Sequence, residues 1–206
     1  MERLPLWMER LRVDAMWWAG AMPFLLVPGE RVGAAVAAVY GLIAQGGTEA
    51  VTMRAVAGRV GISVGTLAHD FRYKAHLWKL STWRIGQELV GDLERSTRLR
   101  GVAGFLPESP EETEGVAVWL ALRALGRVSS EVAHQVNAAD ADLRALLCRR
   151  LEEATAAPVR LAPDAPQVVQ VWAVLQGLWV ERVRAQPAIT GGQAADVLRL
   201  ALEARA

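Results

Sequence analysis

The sequence has little of what secreted and membrane-spanning proteins require. Cys148 is the only cysteine among 206 residues, so the chain cannot close an internal disulfide, and a reducing compartment is expected. The uncharged stretch 15–27 is shorter than the about 20 apolar residues of a membrane helix, and Pro23 interrupts it. No secretory signal is convincing. We therefore expect a soluble cytoplasmic protein that has no membrane partner.

Motifs of catalysis and metal binding are missing as well. The histidines His69, His76 and His134 are too scattered for a metal motif, and Cys148 has no suitably spaced partner. Asp140 and Asp142 are two residues apart, which on a helix points them to different faces. There is no phosphate-binding loop and no nucleophile motif. We predict no metal, no cofactor and no enzymatic activity; an enzyme in the C-terminal half is the alternative.

Lysines and strand patterns are scarce too. Lys74 and Lys79 are the only lysines among 23 basic residues, and the formal net charge is +1. A nucleic-acid surface must therefore be a local patch and not a property of the whole molecule. The chain is rich in Ala, Leu and Val and has almost no strand pattern between turn signals, which indicates an all-α protein.

Helical periodicity and turn residues divide the chain. Apolar residues at steps of three and four predict an amphipathic helix over 4–22, stopped by Pro23, and a second helix that follows Pro28 and ends at Gly46 and Gly47. The further predicted helices span 52–60, 63–71, 74–96, 110–128, 131–155 (with Asn137 as a candidate break), 164–186 and 190–204. Because 98–110 is rich in Gly and Pro, it is the expected connection between domains. The predicted domains are an N-terminal extension at 1–28, a three-helix domain at 29–80 and a helical bundle at 81–206.

The extension at 1–28 has three interpretations. Trp7, Trp17 and Trp18 would suit a membrane surface, but the polar face mixes acidic residues with Arg, so packing against the protein's own helices is favoured. Translation from Met16 or Met22 is the third interpretation, in which case the segment is not made.

Residues 52–71 carry the strongest signal in the chain. Thr52 and Ser63 can each cap a short helix, Ala57 is small enough for two helices to cross closely, and Gly61 tolerates the positive φ of a tight turn. This spacing is typical of a DNA-binding helix-turn-helix, with a purely structural three-helix unit as the alternative. The apolar contacts expected to lock the two helices are Val56, Val60, Ile62 and Leu67.

The second helix of this unit would lie in the major groove, with its N-terminal residues at base edges. Phosphate contacts are expected at helix starts, where free amide groups and positive charge suit anions. Within 29–80, six basic residues outnumber three acidic ones, which fits a phosphate-facing surface. The predicted base-facing residues are Ser63, Val64, Gly65, Thr66 and His69, and the predicted phosphate contacts are Thr52, Arg54 and Lys74.

Residues 32–80 resemble the N-terminal domain of the tetracycline-repressor (TetR) family of regulators. The matching residues are Ala44 and Gly46, the segments 50–57 and 61–67, and then Phe71, Lys74 and Leu77. The resemblance implies an all-α homodimer with an N-terminal DNA-binding domain and a C-terminal domain for ligand binding and dimerisation. It also implies repression at operator DNA that is relieved when a small-molecule effector binds.

Three positions depart from the family pattern. Ala68 stands where an aromatic residue, often Tyr, usually contacts a phosphate, and Tyr73 replaces a small polar cap. Asp70 stands where His or Tyr usually packs inward, and a carboxylate near DNA repels phosphate unless it is paired, for which Arg72 is the candidate. The first helix also lacks the cluster of basic residues that usually precedes it in the family. Ala68, Asp70 and this missing basic cluster motivate an alternative function, a structural or interaction protein of the same fold that has lost specific DNA binding.

Residues 110–204 resemble the C-terminal domains of actinobacterial family members, on the segments 174–178 and 194–202. In those proteins the last two long helices pair with their copies in a four-helix bundle. The predicted helix 164–186 is apolar on nearly every side and must therefore be covered on every side. Dimerisation is favoured over a monomer core because palindromic operators require two reading heads about 34 Å apart. The predicted interface residues are Val168, Leu175, Gly177, Leu178 and Leu198.

Aromatic residues in the second half are candidates for an effector pocket, since such pockets have apolar walls and few polar groups. Core packing is the alternative for each tryptophan. The chemistry of the effector cannot be read from these residues, which are Trp119, Arg123, His134, Trp172 and Trp179.

Overall fold

The computed structural model describes residues 28–154 and 160–203, and within these ranges every regular element is a helix, which confirms the all-α class. The predicted helix over 4–22 lies outside the described residues. The α-helices are α1 (Pro28–Gly46), α2 (Met53–Val60), α3 (Val64–Phe71), α4 (Lys74–Arg100), α5 (Pro110–Leu125), α6 (Ser130–Glu153), α7 (Pro166–Arg182) and α8 (Gly191–Glu203), with 3-10 turns at Thr48–Ala50 and Gly101–Phe105.

Four of the predicted helices differ clearly from those observed. Helix α5 ends at Leu125 and not at residue 128, and α7 spans Pro166–Arg182 and not 164–186. Helix α4 continues past the predicted end at residue 96 and stops at Arg100, where Gly101 has a φ of 58°. Cationic side chains suit the last turn of a helix, and Arg98 and Arg100 lie there. Helix α6 runs unbroken through the candidate break at Asn137.

The described residues form two compact units. The first comprises 28–88 and 121–136, and the second comprises 89–120, 137–154 and 160–203. Helices α4, α5 and α6 each contribute residues to both units, so the limits between the units fall within helices and not in loops. No helix among the described residues is long and apolar enough to cross a membrane.

The core of the first unit explains why α1 to α3 form together. Helix α1 contributes the fully or nearly fully buried Ala35, Val39 and Ile43, and α3 contributes Leu67 and Phe71. Burial of each large apolar side chain contributes about 1.5–3 kcal/mol. Helix α3 has only eight residues and would be marginal in isolation, so these contacts hold it in place.

In the second unit, the turn Gly101–Phe105 lies tightly against the end of α4. A Cβ atom at Gly104 would come within 2.6 Å of the backbone of Ser96 and Thr97, so only glycine fits there. The Thr97 hydroxyl, which is almost fully buried, accepts a hydrogen bond from Nε of Arg150 at 3.0 Å. From α7, Nε1 of Trp179 donates to the carbonyl oxygen of Phe105 at 2.7 Å. The end of α4 is thereby fixed to α6 directly and to α7 through the turn.

Candidate nucleic-acid interface

Helices α2 and α3 are bounded by the caps and the turn that the sequence predicts. The Thr52 hydroxyl accepts a hydrogen bond from the amide of Ala55 at 3.0 Å, and the Ser63 hydroxyl accepts one from the amide of Thr66 at 2.9 Å. Gly61 ends α2 in the left-handed conformation at φ 75°, and its amide donates to the Ala57 carbonyl. Each cap stabilises its helix by about 1 kcal/mol. The ends of the two helices are thus set by contacts between residues close in sequence.

The two faces of α3 have different characters. Leu67 and Phe71 are completely buried, whereas Ser63, Val64, Gly65 and His69 are exposed. Thr66 is half-buried, and its hydroxyl lies 2.9 Å from the Ser63 hydroxyl. The five residues predicted to face bases are therefore on the outer side of the helix or at its edge. Their contact with DNA remains a prediction.

The predicted phosphate contacts are exposed as well. Thr52 and Arg54 lie at the start of α2, and Lys74 is the first residue of α4. Both helix starts present backbone amides that lack partners within the helix, which is the arrangement that favours phosphate oxygens. The Thr52 hydroxyl is an acceptor in the cap and can still donate to a phosphate.

The link between α3 and α4 holds an unusual backbone conformation that the sequence does not predict. Arg72 has φ 56° and ψ −50° and is the only residue other than glycine with positive φ among the described residues. The Tyr73 amide donates to the Phe71 carbonyl, which closes a γ-turn of the rare, strained type. Such strain is of order 1–3 kcal/mol. The turn leaves the side chains of Arg72 and Tyr73 exposed beside Lys74.

Asp70 pairs with Arg31 of α1, so the predicted pairing with Arg72 is wrong. Nε of Arg31 lies 2.9 Å from Oδ2 of Asp70, and Nη2 lies 3.1 Å from Oδ1. The hydrogen bonds from Arg31 hold the pKa of Asp70 below its usual value, although burial acts in the opposite direction. Arg72 lies in the γ-turn, and its side chain is exposed to solvent. The carboxylate is therefore neutralised within the domain and does not lie open beside DNA.

The predicted effector residues differ in their burial, in their contacts and in the unit to which they belong. Trp172 and Trp179 are in edge-to-face contact, with ring centroids 5.8 Å apart. Trp119 is completely buried, and its Nε1 has no hydrogen-bond partner. Arg123 and His134 belong to the first unit, where Arg123 is half-buried and His134 is exposed. A shared pocket remains a prediction.

Four of the five predicted interface residues are covered within the chain itself. Val168, Leu175, Leu178 and Leu198 are buried, and only Gly177 is exposed, with open space around it. Helix α7 packs against α8, and this packing covers one stripe of each helix. Apolar side chains on the remaining surface of the two helices are exposed, namely Val169, Val180, Val197 and Leu200.

Two sequence models of one protein family match the chain. The model described as bacterial regulatory proteins of the tetR family matches residues 35–79. The model described as BetI-type transcriptional repressor, C-terminal, matches residues 95–206, more than half of the chain. No curated protein matches the sequence.

Solved structures of regulators share the fold. A transcriptional regulator from Rhodococcus sp. Rha1 is 19% identical with a TM-score of 0.70, over 87% of this chain and 95% of that chain. A TetR-family regulator from Rhodococcus sp. is 22% identical with a TM-score of 0.69, over 85% and 98% of the two chains. A regulator from Pseudomonas aeruginosa PAO1 is 17% identical with a TM-score of 0.63, over 90% and 94%. At these identities the likeness concerns the fold alone.

Proposed function

The chain belongs to the TetR family and is a DNA-binding transcriptional regulator, and we propose that it is a homodimeric repressor which a small-molecule effector releases from operator DNA. The observation that carries the proposal is the exposed outer face of α3, bounded by the Ser63 cap and backed by buried Leu67 and Phe71. A regulator of this kind acts where the chromosome lies, in the cytoplasm, and needs no catalytic group.

In the proposed complex, α3 enters the major groove with its N-terminal end toward the bases. Gly65 has no side chain and lets the helix lie close to the groove floor, while Thr66 and His69 reach base edges. Arg54 and Lys74 contact phosphates on either side and fix the register without reading sequence. The internal pairing of Asp70 with Arg31 removes one of the three reasons for the alternative, a protein of this fold that does not bind specific DNA.

The apolar surface of α7 and α8 supports a dimer. Val169, Val180, Val197 and Leu200 are 42–57% exposed, which is costly for a monomer in water. On α7, Val169, Ala173, Gly177 and Val180 follow one another at steps of four and three, so they share a face. Gly177 would let a partner helix approach closely. We propose that the two copies of the chain meet on this exposed surface. It lies beside the buried residues that the sequence predicts for the interface.

A charge on this surface tests the dimer. Leu200→Asp should convert the protein to a monomer in sedimentation experiments, because a carboxylate would be buried without a partner. Leu99→Asp is the matched control, since Leu99 is also an exposed leucine of the second unit but lies on α4. Dimers that persist in Leu200→Asp would exclude this surface.

Release by an effector requires a route from the second unit to the reading head, which consists of α2 and α3, and α4 is the candidate. This helix begins at Lys74, next to the reading head, and its other end is held by the contacts of Thr97 and Gly104. A ligand that alters the packing of Trp179 would act on the turn Gly101–Phe105 and thus on α4. For release, the effector must bind the state that is incompetent for DNA more tightly.

Two experiments test the proposed function. The protein should retain a small set of promoter fragments from sheared genomic DNA, each containing an inverted repeat with half-sites about one helical turn apart. A metabolite collection should then contain compounds that raise the melting temperature and weaken binding to the retained fragment. Retention of random genomic fragments would contradict operator recognition, and compounds that stabilise the protein without affecting DNA binding would contradict release by an effector.

A further inference from the structure

The ion pair between Arg31 and Asp70 joins segments of the first unit that are 39 residues apart in sequence. Arg31 lies in the first turn of α1, and Asp70 lies in the last turn of α3. The Asp70 side chain is only 6% exposed and the Arg31 side chain 20%. Both carboxylate oxygens are engaged, each by a different guanidinium nitrogen. A pair with this geometry differs from an exposed single contact, which contributes little and fixes no orientation.

Asp70 occupies a particular position around α3. Residues of a helix are about 100° apart around its axis, so Asp70 lies about 60° from Leu67 on one side and about 100° from His69 on the other. Leu67 and Phe71 anchor the helix through apolar contacts, which have no strong directional preference. The ion pair adds a directional contact at the edge between the buried face and the outer face.

We infer that Arg31 and Asp70 are positioning residues that set the angle at which α3 presents Thr66 and His69 to the groove, and thereby the sequence specificity of the protein. This inference rests on the proposed function. A rotation of α3 by a small angle moves the ends of these side chains more than it moves the helix axis, so hydrogen bonds to base edges are lost before phosphate contacts are. The pair should therefore affect the choice of sequence more than the affinity for DNA in general.

Two other roles are possible for the pair in physical terms. One is stability alone, in which case its loss would weaken binding to all DNA in proportion to the folded fraction. The other is neutralisation of a carboxylate close to phosphates, in which case any cation at position 31 would suffice. Arg31→Lys separates these roles from positioning, because lysine keeps the charge but cannot form two parallel hydrogen bonds from a planar group.

The experiment measures dissociation constants for a fragment retained from genomic DNA and for a shuffled fragment of equal length and composition. For Arg31→Lys we expect the ratio of the two constants to fall about tenfold, the loss typical of one mismatched base pair, while the affinity for the shuffled fragment changes less than about twofold. Arg84→Lys is the matched control, because Arg84 forms a single-contact pair with Glu88 at 3.0 Å in the same unit, and this pair is more exposed than that of Arg31 with Asp70. It should leave both constants unchanged.

A reciprocal exchange provides the rescue. Arg31→Asp alone places two carboxylates together and should abolish specificity, whereas Arg31→Asp combined with Asp70→Arg restores opposite charges with the same net charge and should recover part of the ratio. A folded Arg31→Lys protein with an unchanged ratio would overturn the inference, and so would an equal loss of affinity for both fragments. If the unaltered protein does not distinguish the fragments, the proposed function itself fails; if it does and only the variants disagree, the inference alone fails.

Discussion

The helix-turn-helix and the α7–α8 pair present opposite kinds of surface. On α3 the apolar residues Leu67 and Phe71 are buried, and small or polar residues occupy most of the outer face. On α7 and α8 one apolar stripe is buried and another, including Val180 and Leu200, is exposed. The outer face of α3 therefore suits a polar, charged partner. The surface of α7 and α8 leaves neighbouring apolar side chains exposed to water, which is typical of interaction surfaces.

The two regions also differ in the sequence separation of the contacts that stabilise them. Caps within three residues and a glycine turn define α2 and α3, whereas the second unit depends on contacts between residues far apart in sequence, such as Trp179 with Phe105 and Arg150 with Thr97. Substitutions at the caps and the turn of α2 and α3 should therefore have small, local effects, whereas substitutions at these contacts of the second unit should have large, cooperative effects.

The largest effect is expected at Gly104. Gly104→Ala would place a Cβ atom 2.6 Å from the backbone of Ser96 and Thr97 and should lower the free energy of unfolding by about 3 kcal/mol, as overpacking does. Urea unfolding followed by circular dichroism measures this loss. Gly58→Ala is the control, because Gly58 lies in helix α2 with nothing within 4 Å, and alanine there should stabilise by up to about 1 kcal/mol. Equal effects of the two substitutions would contradict the close approach at Gly104.

The next largest effect is a loss of DNA affinity when predicted contact residues of α3 or of the start of α4 are replaced. Thr66→Ala or His69→Ala should cost about 1–3 kcal/mol in binding to the operator and relax the sequence preference, while Lys74→Ala should weaken binding to all DNA alike. Titrations at several salt concentrations distinguish the two classes, because loss of a phosphate contact reduces the salt slope by about one. An unchanged salt slope and nonspecific affinity in Lys74→Ala would show that the start of α4 does not contact phosphate.

A smaller effect is expected at the cap of α3. Ser63→Ala removes the acceptor for the amide of Thr66 and should lower the free energy of unfolding by about 1 kcal/mol, whereas Ser63→Gly should cost only a few tenths. Thermal unfolding of the two variants measures the difference. If Ser63→Ala unfolds the whole protein, the cap does not act on the start of α3 alone.

The smallest effect is a dependence on pH. The pKa of Asp70 is lower in the folded protein than in the unfolded chain because of the hydrogen bonds from Arg31. The ionised carboxylate therefore stabilises the fold above the unfolded pKa of about 3.9, and this stabilisation is lost as the pH falls through the lower, folded pKa. The advantage of the unaltered protein over Asp70→Asn in urea unfolding should accordingly diminish between about pH 5 and pH 2. A constant difference over this range would contradict the pairing.

The sequence predicts the reading head well because its determinants are local. Thr52, Ser63 and Gly61 act on residues within a few positions, so spacing alone identifies them. The pairing of Asp70 with Arg31 spans 39 residues and leaves no local signal, so the sequence favours the nearer Arg72 as the partner. The positive φ of Arg72 also has no sequence signal, because arginine is not a residue that favours it.

For the apolar helices α7 and α8, by contrast, the sequence does not determine which side chains are covered within the chain. Helix α7 is apolar on nearly every side, so the sequence indicates that it must be covered but not which stripe faces the chain's own helices. The residues predicted for the partner, such as Leu175 and Leu198, are buried within the chain, and the neighbouring stripes are exposed. Only the packing of α7 against α8 distinguishes the two.

The most direct test of the account is a gel-shift titration against the promoter region of the protein's own gene and against random DNA of equal length, with salt varied. We expect tight binding to the promoter, preferred over random DNA by about 10³-fold or more, and a steep loss of affinity as salt increases. Equal affinity for the two fragments at every salt concentration would contradict the assignment of α3 as a sequence-reading helix.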